Sequence, residues 1–318
     1  MKRALAALFL AALAGVAAAQ EPWPGRPVHI VVPYTPGTGA DILARVLGPK
    51  LAERWKAAVV TDNKPGATGS IGAEFAAKSP PDGYTLLLTA TSFTTNPALK
   101  PAPFDPVKDF APIALLATGA LGVYINPDVP AKNMRDFVAL VRSQPGRLYY
   151  SSPGNGGPQH LAMELLKLET GMDIIHVPYK GAAGAISDLV GGHVQAMVSA
   201  LQTVAPHVQS GRLRMLAVMS GHRAVAFPDV PTLEEAGLPE LEVETWYAMF
   251  APAGTPAAIV ARINRDVNEL LKETDVREVL AKQGLEPAGG APEALGARVK
   301  RELASWTRVV KAAGIKAD

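Results

Sequence analysis

Apolar residues along this chain recur with two spacings, one typical of buried strands and one typical of amphipathic helices. In the first third of the chain, strands and helices are predicted in alternation at 27–34, 41–55, 58–61, 70–78 and 84–90. Gly48-Pro49 interrupts the first helix, so we expect a kink or two short helices there. This order predicts a parallel sheet with right-handed crossovers.

The same alternation restarts in the second half of the chain. Strands are predicted at 120–125, 148–151, 174–177, 194–199 and 213–219, and helices at 134–143, 159–170 and 183–190. A Pro-rich and acidic segment predicts one short helix within 227–239, and a strand and three helices follow at 245–250, 258–272, 275–283 and 292–312. Two α/β units and a returning strand predict two lobes, 20–121 with 248–318 and 122–247, with a ligand cleft at the carboxyl ends of the strands.

The N-terminal residues have the pattern of a secretory signal. Two basic residues precede an apolar run at 4–19, and three alanines before Gln20 form a small-residue cleavage site, so 1–19 is predicted to be a signal peptide. A membrane anchor is the alternative, but the run is short and Pro22 and Pro24 follow it at once. The chain has no cysteine, so we expect a soluble periplasmic protein without disulfides that is not a lipoprotein.

Composition and motifs argue against several functions. The formal charge of +2 matches the two basic residues of the predicted signal, and no basic stripe indicates nucleic-acid binding. The six histidines lack metal-ligand spacing, so neither a metal nor a cofactor is predicted. No H-E-x-x-H, G-x-S-x-G or phosphate-binding loop is found, which disfavours an enzyme, although scattered Asp and Glu leave a carboxylate dyad open.

Two Gly-rich segments each follow a predicted strand and open a predicted helix. The first turn, 33–41, offers as candidate ligand-binding residues Tyr34, Thr35, Gly37, Thr38 and Gly39. Glycine permits unusual backbone angles, and the amides at a helix N-terminus attract an anion. We expect Asp41 to cap the helix rather than to contact an anion. An ordinary strand-to-helix connection is an equally good interpretation of this pattern.

The second turn, 151–160, has the same character in the second predicted lobe. Its candidate ligand-binding residues are Ser151, Ser152, Asn155 and Gly156, which supply hydroxyls, an amide and backbone N–H groups. We interpret His160 as a local hydrogen-bonding residue of the helix. One such turn in each lobe predicts a clamp that closes on a small carboxylate.

Two further segments end predicted strands. A hydroxyl cluster at 89–97 contains Thr91 and Ser92, which either line the cleft or belong to a polar turn closed by Asn96-Pro97. Tyr179 follows another strand, where it can form a wall of the pocket.

Taken in order, these segments resemble the Bug family, the substrate receptors of tripartite tricarboxylate transporters. The resemblance covers the predicted mature chain and rests on residues 30–37 with Asp41, 63–67 with 71–74, 81–86, 105–112, 154–156 with His160 and Leu161, 176–181, 227–232, 250–256 and 309–315. It implies an α/β fold of two lobes, the Venus flytrap of type II periplasmic binding proteins, each lobe a mostly parallel sheet flanked by helices. It also implies that a small organic carboxylate is held by the first and second turns and passed to membrane permease subunits, with the receptor acting as a monomer.

The chain departs from the family pattern at positions that bear on the ligand. The family often has a histidine where Phe93 stands, and an acidic residue where Ser199 ends a strand of the second lobe. Phe93 is therefore expected to form an apolar or aromatic wall, and Ser199 to disfavour a ligand with an ammonium group. Together they favour an aromatic or longer-chain carboxylate without an amino group. Two other functions fit the same sequence, a periplasmic sensor subunit for signalling and, with less support, a secreted α/β hydrolase.

Overall fold

The computed structural model describes residues 23–179, 181–239, 241 and 243–315. The predicted signal peptide at 1–19 lies outside these residues. The first part of the chain forms β1 (Val28–Val32), α1 (Gly39–Trp55), β2 (Val59–Asn63), α2 (Ser70–Ala77), β3 (Thr85–Ala90), α3 (Ser92–Leu99) and β4 (Phe110–Ile125), with a short 3₁₀ turn (Ala67–Gly69) before α2.

The second part repeats the alternation and then returns to the first. It forms α4 (Met134–Ser143), β5 (Tyr149–Ser152), α5 (Pro158–Thr170), β6 (Ile175–Pro178), α6 (Ala182–Val190), β7 (Ala196–Ala200), α7 (Leu201–Gln209) and β8 (Arg214–Val218). The last elements are β9 (Glu244–Pro252), α8 (Ala257–Leu270), α9 (Thr274–Lys282), β10 (Glu286–Pro287) and α10 (Pro292–Ala313).

Strand β4 runs from the first lobe into the second. The strand order is β2-β1-β3-β9-β4-β7-β5-β6, and β8 and β10 also pair with β4. Strands β2, β1 and β3 are parallel, as are β7, β5 and β6, whereas β9 and β4 are antiparallel to their neighbours. Strand β4 pairs with β9 up to Ala120 and with β7 and β8 from Leu121 onward. The exact lobe boundaries proposed from the sequence stay predictions.

The C-terminal helix α10 packs against both lobes. Leu295 and Val299 belong to the first-lobe core that contains Phe93 and Phe250. Trp306 and Val309 belong to the second-lobe core under α4 and α5. A single helix therefore buries apolar side chains in the cores of both lobes.

Several elements differ from the sequence-based expectation. Helices α3 and α7 were not predicted, and β4 is 16 residues long where only 120–125 was expected. Segment 227–239 forms turns and a bridge at Thr232 rather than a helix. Helix α1 continues through Pro49 as one helix rather than as two short ones, because its buried face, which includes Leu47, Leu51 and Trp55, holds both halves against the sheet.

Candidate functional site

Helix N-termini converge at one edge of each lobe. Helices α1, α2 and α3 follow β1, β2 and β3, and helices α5, α6 and α7 follow β5, β6 and β7. Since the strands of each set are parallel, their carboxyl ends lie together. The first amides of a helix lack partners within it, and its dipole is positive at that end. Each edge therefore attracts anions without a basic side chain.

The second turn touches the first lobe. Gly156 has a φ of +70°, and a Cβ placed on it would lie 2.2 Å from a methyl carbon of Leu99, at the end of α3. Only a residue without a side chain fits this approach with this backbone angle. The second turn therefore contacts the C-terminal end of α3. The N-terminus of α3 lies at the carboxyl ends of the first-lobe strands.

Asp41 organises the first turn. It lies in the first turn of α1, is 3% exposed, and accepts hydrogen bonds from the Gly37 amide at 2.9 Å, from Arg45 Nε at 3.0 Å and from Asn63 Nδ2 at 3.0 Å. Burial raises the pKa of Asp41, but the hydrogen bonds from Arg45, Gly37 and Asn63 outweigh it and hold the pKa below its usual value. The carboxylate therefore stays ionised, and its partners are Gly37, Arg45 and Asn63 rather than the first amides of α1, so Asp41 holds the turn instead of capping the helix as expected.

The two threonines of the first turn have unequal positions. Thr38 is the N-cap residue of α1, and its hydroxyl donates to the Thr35 carbonyl at 3.0 Å and accepts no hydrogen bond from a helix amide. Thr35 is exposed. The Gly37 amide is used by Asp41, and the first helical bond is made by the Ile42 amide, so the amides that remain at the helix end are those of Gly39, Ala40 and Asp41.

The Tyr34 hydroxyl forms hydrogen bonds within the first lobe. Its hydroxyl lies 2.6 Å from Ser92 Oγ and 3.0 Å from Thr89 Oγ1, and it accepts a hydrogen bond from the Ala90 amide at 3.1 Å. Burial raises the pKa of Tyr34, so the phenol stays neutral. The structure brings Tyr34 and Ser92 together, and their hydroxyls form a hydrogen bond with each other.

Thr91 and Phe93 are buried in the first lobe. Thr91 Oγ1 accepts a hydrogen bond from the Trp246 amide at 2.9 Å. The ring of Phe93 is 2% exposed and stacks between Phe250 and Phe104, with centroid distances of 4.7 and 5.4 Å. The aromatic core of the first lobe takes up the Phe93 ring, and the expected role of this residue as a pocket wall stays a prediction.

The hydroxyls of the second turn also bond internally. Ser151 Oγ donates to the Ala185 carbonyl at 3.1 Å. Ser152 Oγ donates to the Gly154 carbonyl at 2.9 Å and lies 2.6 Å from His176 Nε2. Both serines are fully buried, whereas Asn155 is partly exposed. These bonds fix the backbone of the turn and leave its outer face to Asn155 and to the amides at the start of α5.

A stack of rings supports the second turn from behind. His160 Nδ1 accepts a hydrogen bond from the Gly156 amide at 2.9 Å. The His160 ring stacks on His176 at 3.7 Å, and His176 stacks on Tyr150 at 4.9 Å. Burial first, and His160 second, lower the pKa of His176 to about 4. His176 is therefore neutral at pH 7.

This lowered pKa predicts acid-sensitive stability. An unfolded histidine titrates near 6.5 and the folded His176 near 4, so only the unfolded state gains this proton between those values. The contribution to stability is complete above pH 6.5 and is lost as the pH falls toward 4, up to about 3 kcal/mol. Urea unfolding at several pH values measures it, and His176→Gln should flatten the profile. Exposed His222 gives the control His222→Gln; an equal flattening by both variants would contradict this assignment.

Tyr179 and Ser199 end the remaining strands. The Tyr179 hydroxyl donates to the Asp188 carboxylate, and this bond, together with burial, raises the pKa of Tyr179 to about 12. Its amide donates to the Ser152 carbonyl at 3.0 Å, which ties it to the second turn. Ser199 is 2% exposed and pairs with Gly122 across β7 and β4. Lys180, which follows Tyr179, lies outside the described residues.

A family model described as the tripartite tricarboxylate transporter family receptor matches residues 43–315. The chain belongs to this receptor family. Its members are substrate-binding receptors, not enzymes, and the family is periplasmic.

The chain is similar to known relatives along nearly its whole length. BugT of Bordetella pertussis is 36% identical over 322 residues, which cover 99% of each chain. The structure of R. palustris Rpa4515 with adipate is 35% identical, covers 92% of this chain and 99% of that one, and has a TM-score of 0.74. MatC of Rhodopseudomonas palustris with bound malate is 31% identical, covers 91% of this chain and 100% of that one, and has a TM-score of 0.72. The family and the two-lobed α/β fold expected from the resemblance are confirmed.

Two features that border the candidate site were not among its predicted residues, although the sequence predicts a turn at 63–69. The turn between β2 and α2 carries positive φ values at two non-glycine residues, Ala67 (46°) and Thr68 (53°), and Asn96 Nδ2 holds the Thr68 carbonyl at 2.8 Å. A Cβ on Gly69 would lie 3.1 Å from the Tyr34 ring, so this turn borders the first. The second feature is Tyr247 on β9, which packs against Gly39. The spacing of Gly66 and Gly69 indicates this turn in the sequence. No local sequence pattern indicates a role for Tyr247 at the site.

A separate groove of about 800 Å³ lies between α7 and segment 220–227 of the second lobe and α9 and β10 of the first. The predicted site residues of the receptor do not line it. Its lining includes charged residues of both signs, such as Arg277 and Glu278. Among the residues that the structure describes, no helix could cross a membrane and no cluster of His, Asp or Glu could hold a metal ion.

Proposed function

We propose that this receptor captures a dicarboxylate without an ammonium group between the first and second turns and delivers it to the permease subunits of a tripartite transporter. The observation that carries the proposal is the convergence of helix N-termini at the edge of each lobe. A carboxylate at such an end accepts hydrogen bonds from backbone amides, each contributing about 1.5–3 kcal/mol.

The two turns suggest two carboxylates. One end of the ligand would meet the amides of Gly39 and Ala40, and the other the start of α5 near Asn155. Support for this class also comes from the relatives solved with adipate and with malate, both dicarboxylates without an ammonium group. Ser199 in place of an acid removes a partner for an ammonium group. The buried Phe93 gives no support for an aromatic ligand.

The mechanism is closure of the two lobes around the ligand. A ligand that contacts both edges binds the closed form better and shifts the population toward it. The permease would then recognise the closed receptor. We further propose that residues 1–19 direct the chain to the periplasm and are removed, and that the receptor works as a monomer.

A thermal-shift screen tests the proposal. The predicted mature chain is heated with succinate, malate or adipate, and with aspartate or glutamate as the ammonium-bearing counterparts. At 100 times its dissociation constant, a ligand adds about 2.7 kcal/mol of stability. We expect shifts with the first three acids and smaller ones with the amino acids. No shift with any acid would overturn the proposal, and hydrolysis of a bound derivative would overturn the receptor mechanism.

A further inference from the structure

Tyr247 lies over the N-terminus of α1. It is on β9, opposite Ala90 of β3 and Ala117 of β4. A Cβ placed on Gly39 would be 2.3 Å from the Tyr247 hydroxyl oxygen and 2.6 Å from Cζ. The hydroxyl end of the ring therefore covers the first residue of α1, next to the amides that remain available there.

The hydroxyls of Tyr247 and Tyr34 differ in their partners. Tyr34 bonds to Thr89, Ser92 and the Ala90 amide, whereas the Tyr247 hydroxyl makes no hydrogen bond to any residue in the described part of the chain. Its ring packs against the core of the first lobe that lies under α1 and α8. Burial, and then the proximity of Tyr34, raise the pKa of Tyr247, so its hydroxyl keeps its proton. A donor without a partner thus stands at a positive helix end.

The geometry points to Tyr247 as a ligand-binding residue whose hydroxyl donates a hydrogen bond to the carboxylate held by the Gly39 and Ala40 amides. This inference rests on the proposed function and assigns to the first lobe a side-chain donor outside both Gly-rich turns. An O–H donor to a charged oxygen is among the stronger hydrogen bonds. Because β9 is held between β3 and β4, the donor is fixed before the ligand arrives.

Removal of three tyrosine hydroxyls tests the assignment. Tyr247→Phe, Tyr34→Phe and Tyr149→Phe are compared with the wild-type chain, with affinity for succinate, malate and adipate measured by calorimetry and melting measured without ligand. We expect Tyr247→Phe to lower the affinity for the acid that the wild type binds most tightly about tenfold, equal to about 1.4 kcal/mol. The melting temperature without ligand should not change. Tyr34→Phe should melt earlier, because its hydroxyl has protein partners. Tyr149, exposed at the start of β5, is the matched control and should change neither.

The outcomes separate the two proposals. If the wild type binds an acid and Tyr247→Phe binds it equally well, the role of Tyr247 is overturned and the receptor proposal stands. If Tyr247→Phe melts earlier than the wild type, its hydroxyl has a structural partner and the assignment also fails. If the wild type binds none of the acids, both proposals fail together.

Discussion

Replacing Gly39 with alanine is expected to weaken dicarboxylate binding by at least about 100-fold, or about 2.7 kcal/mol. The added Cβ would lie 2.3 Å from the hydroxyl oxygen of Tyr247 and 2.6 Å from its ring carbon Cζ, which is too close for the ring to keep its place. The displaced ring would no longer present its hydroxyl, and the new methyl group would stand beside the α1 amides. Calorimetry with adipate or malate measures the loss.

The fold should survive this substitution. Gly39 is the first residue of α1 and is not among the positive-φ positions, and alanine favours helices by about 1 kcal/mol over glycine. Gly48→Ala in the same helix is the control, because its added Cβ would meet its nearest atom, in Val59, at an ordinary 3.7 Å. Near-wild-type affinity for Gly39→Ala would show that the ligand does not bind at the N-terminus of α1.

Regular patterning predicted most elements of the fold, and its failures have a common cause. Helix α4 lies where its apolar spacing placed it, with Phe137 and Val141 buried. Helix α3 contains Pro97 and several residues of low helix propensity, and exists because Phe93 is anchored in the core and Asn96 bonds to the neighbouring turn. Strand β4 crosses from one lobe to the other, and 11 of its 16 residues are buried without a regular alternation.

The candidate site was predictable as backbone but not as side chains. Glycines between a predicted strand and a predicted helix indicate the first and second turns from local sequence alone. Which hydroxyl is available depends on contacts between distant segments, such as Tyr34 with Ser92, 58 residues apart. Tyr247 contacts Gly39 only because β9 returns from the second lobe to pair with β3. Local sequence has no information on either contact.

The junction between β9, α3 and α10 is held by a buried tryptophan. Trp246 is fully buried, and its indole N–H donates to Glu302 of α10 at 2.8 Å. Glu302 also accepts from Thr94 of α3 at 2.9 Å and from Arg298 at 2.8 Å. Since α10 buries side chains in both lobes, this junction connects the strand at the lobe crossing to the helix that spans them.

Trp246→Ala is expected to lower the free energy of unfolding by about 3–5 kcal/mol, because it leaves a cavity in the first-lobe core. Urea unfolding measures the loss as a lower transition midpoint. Trp246→Phe keeps an aromatic ring but removes the donor to Glu302, and should lose less, about 1–3 kcal/mol, since Arg298 and Thr94 still neutralise and bond that carboxylate. An equal loss in both variants would mean that the hydrogen bond to Glu302, rather than the packed ring, holds the junction together.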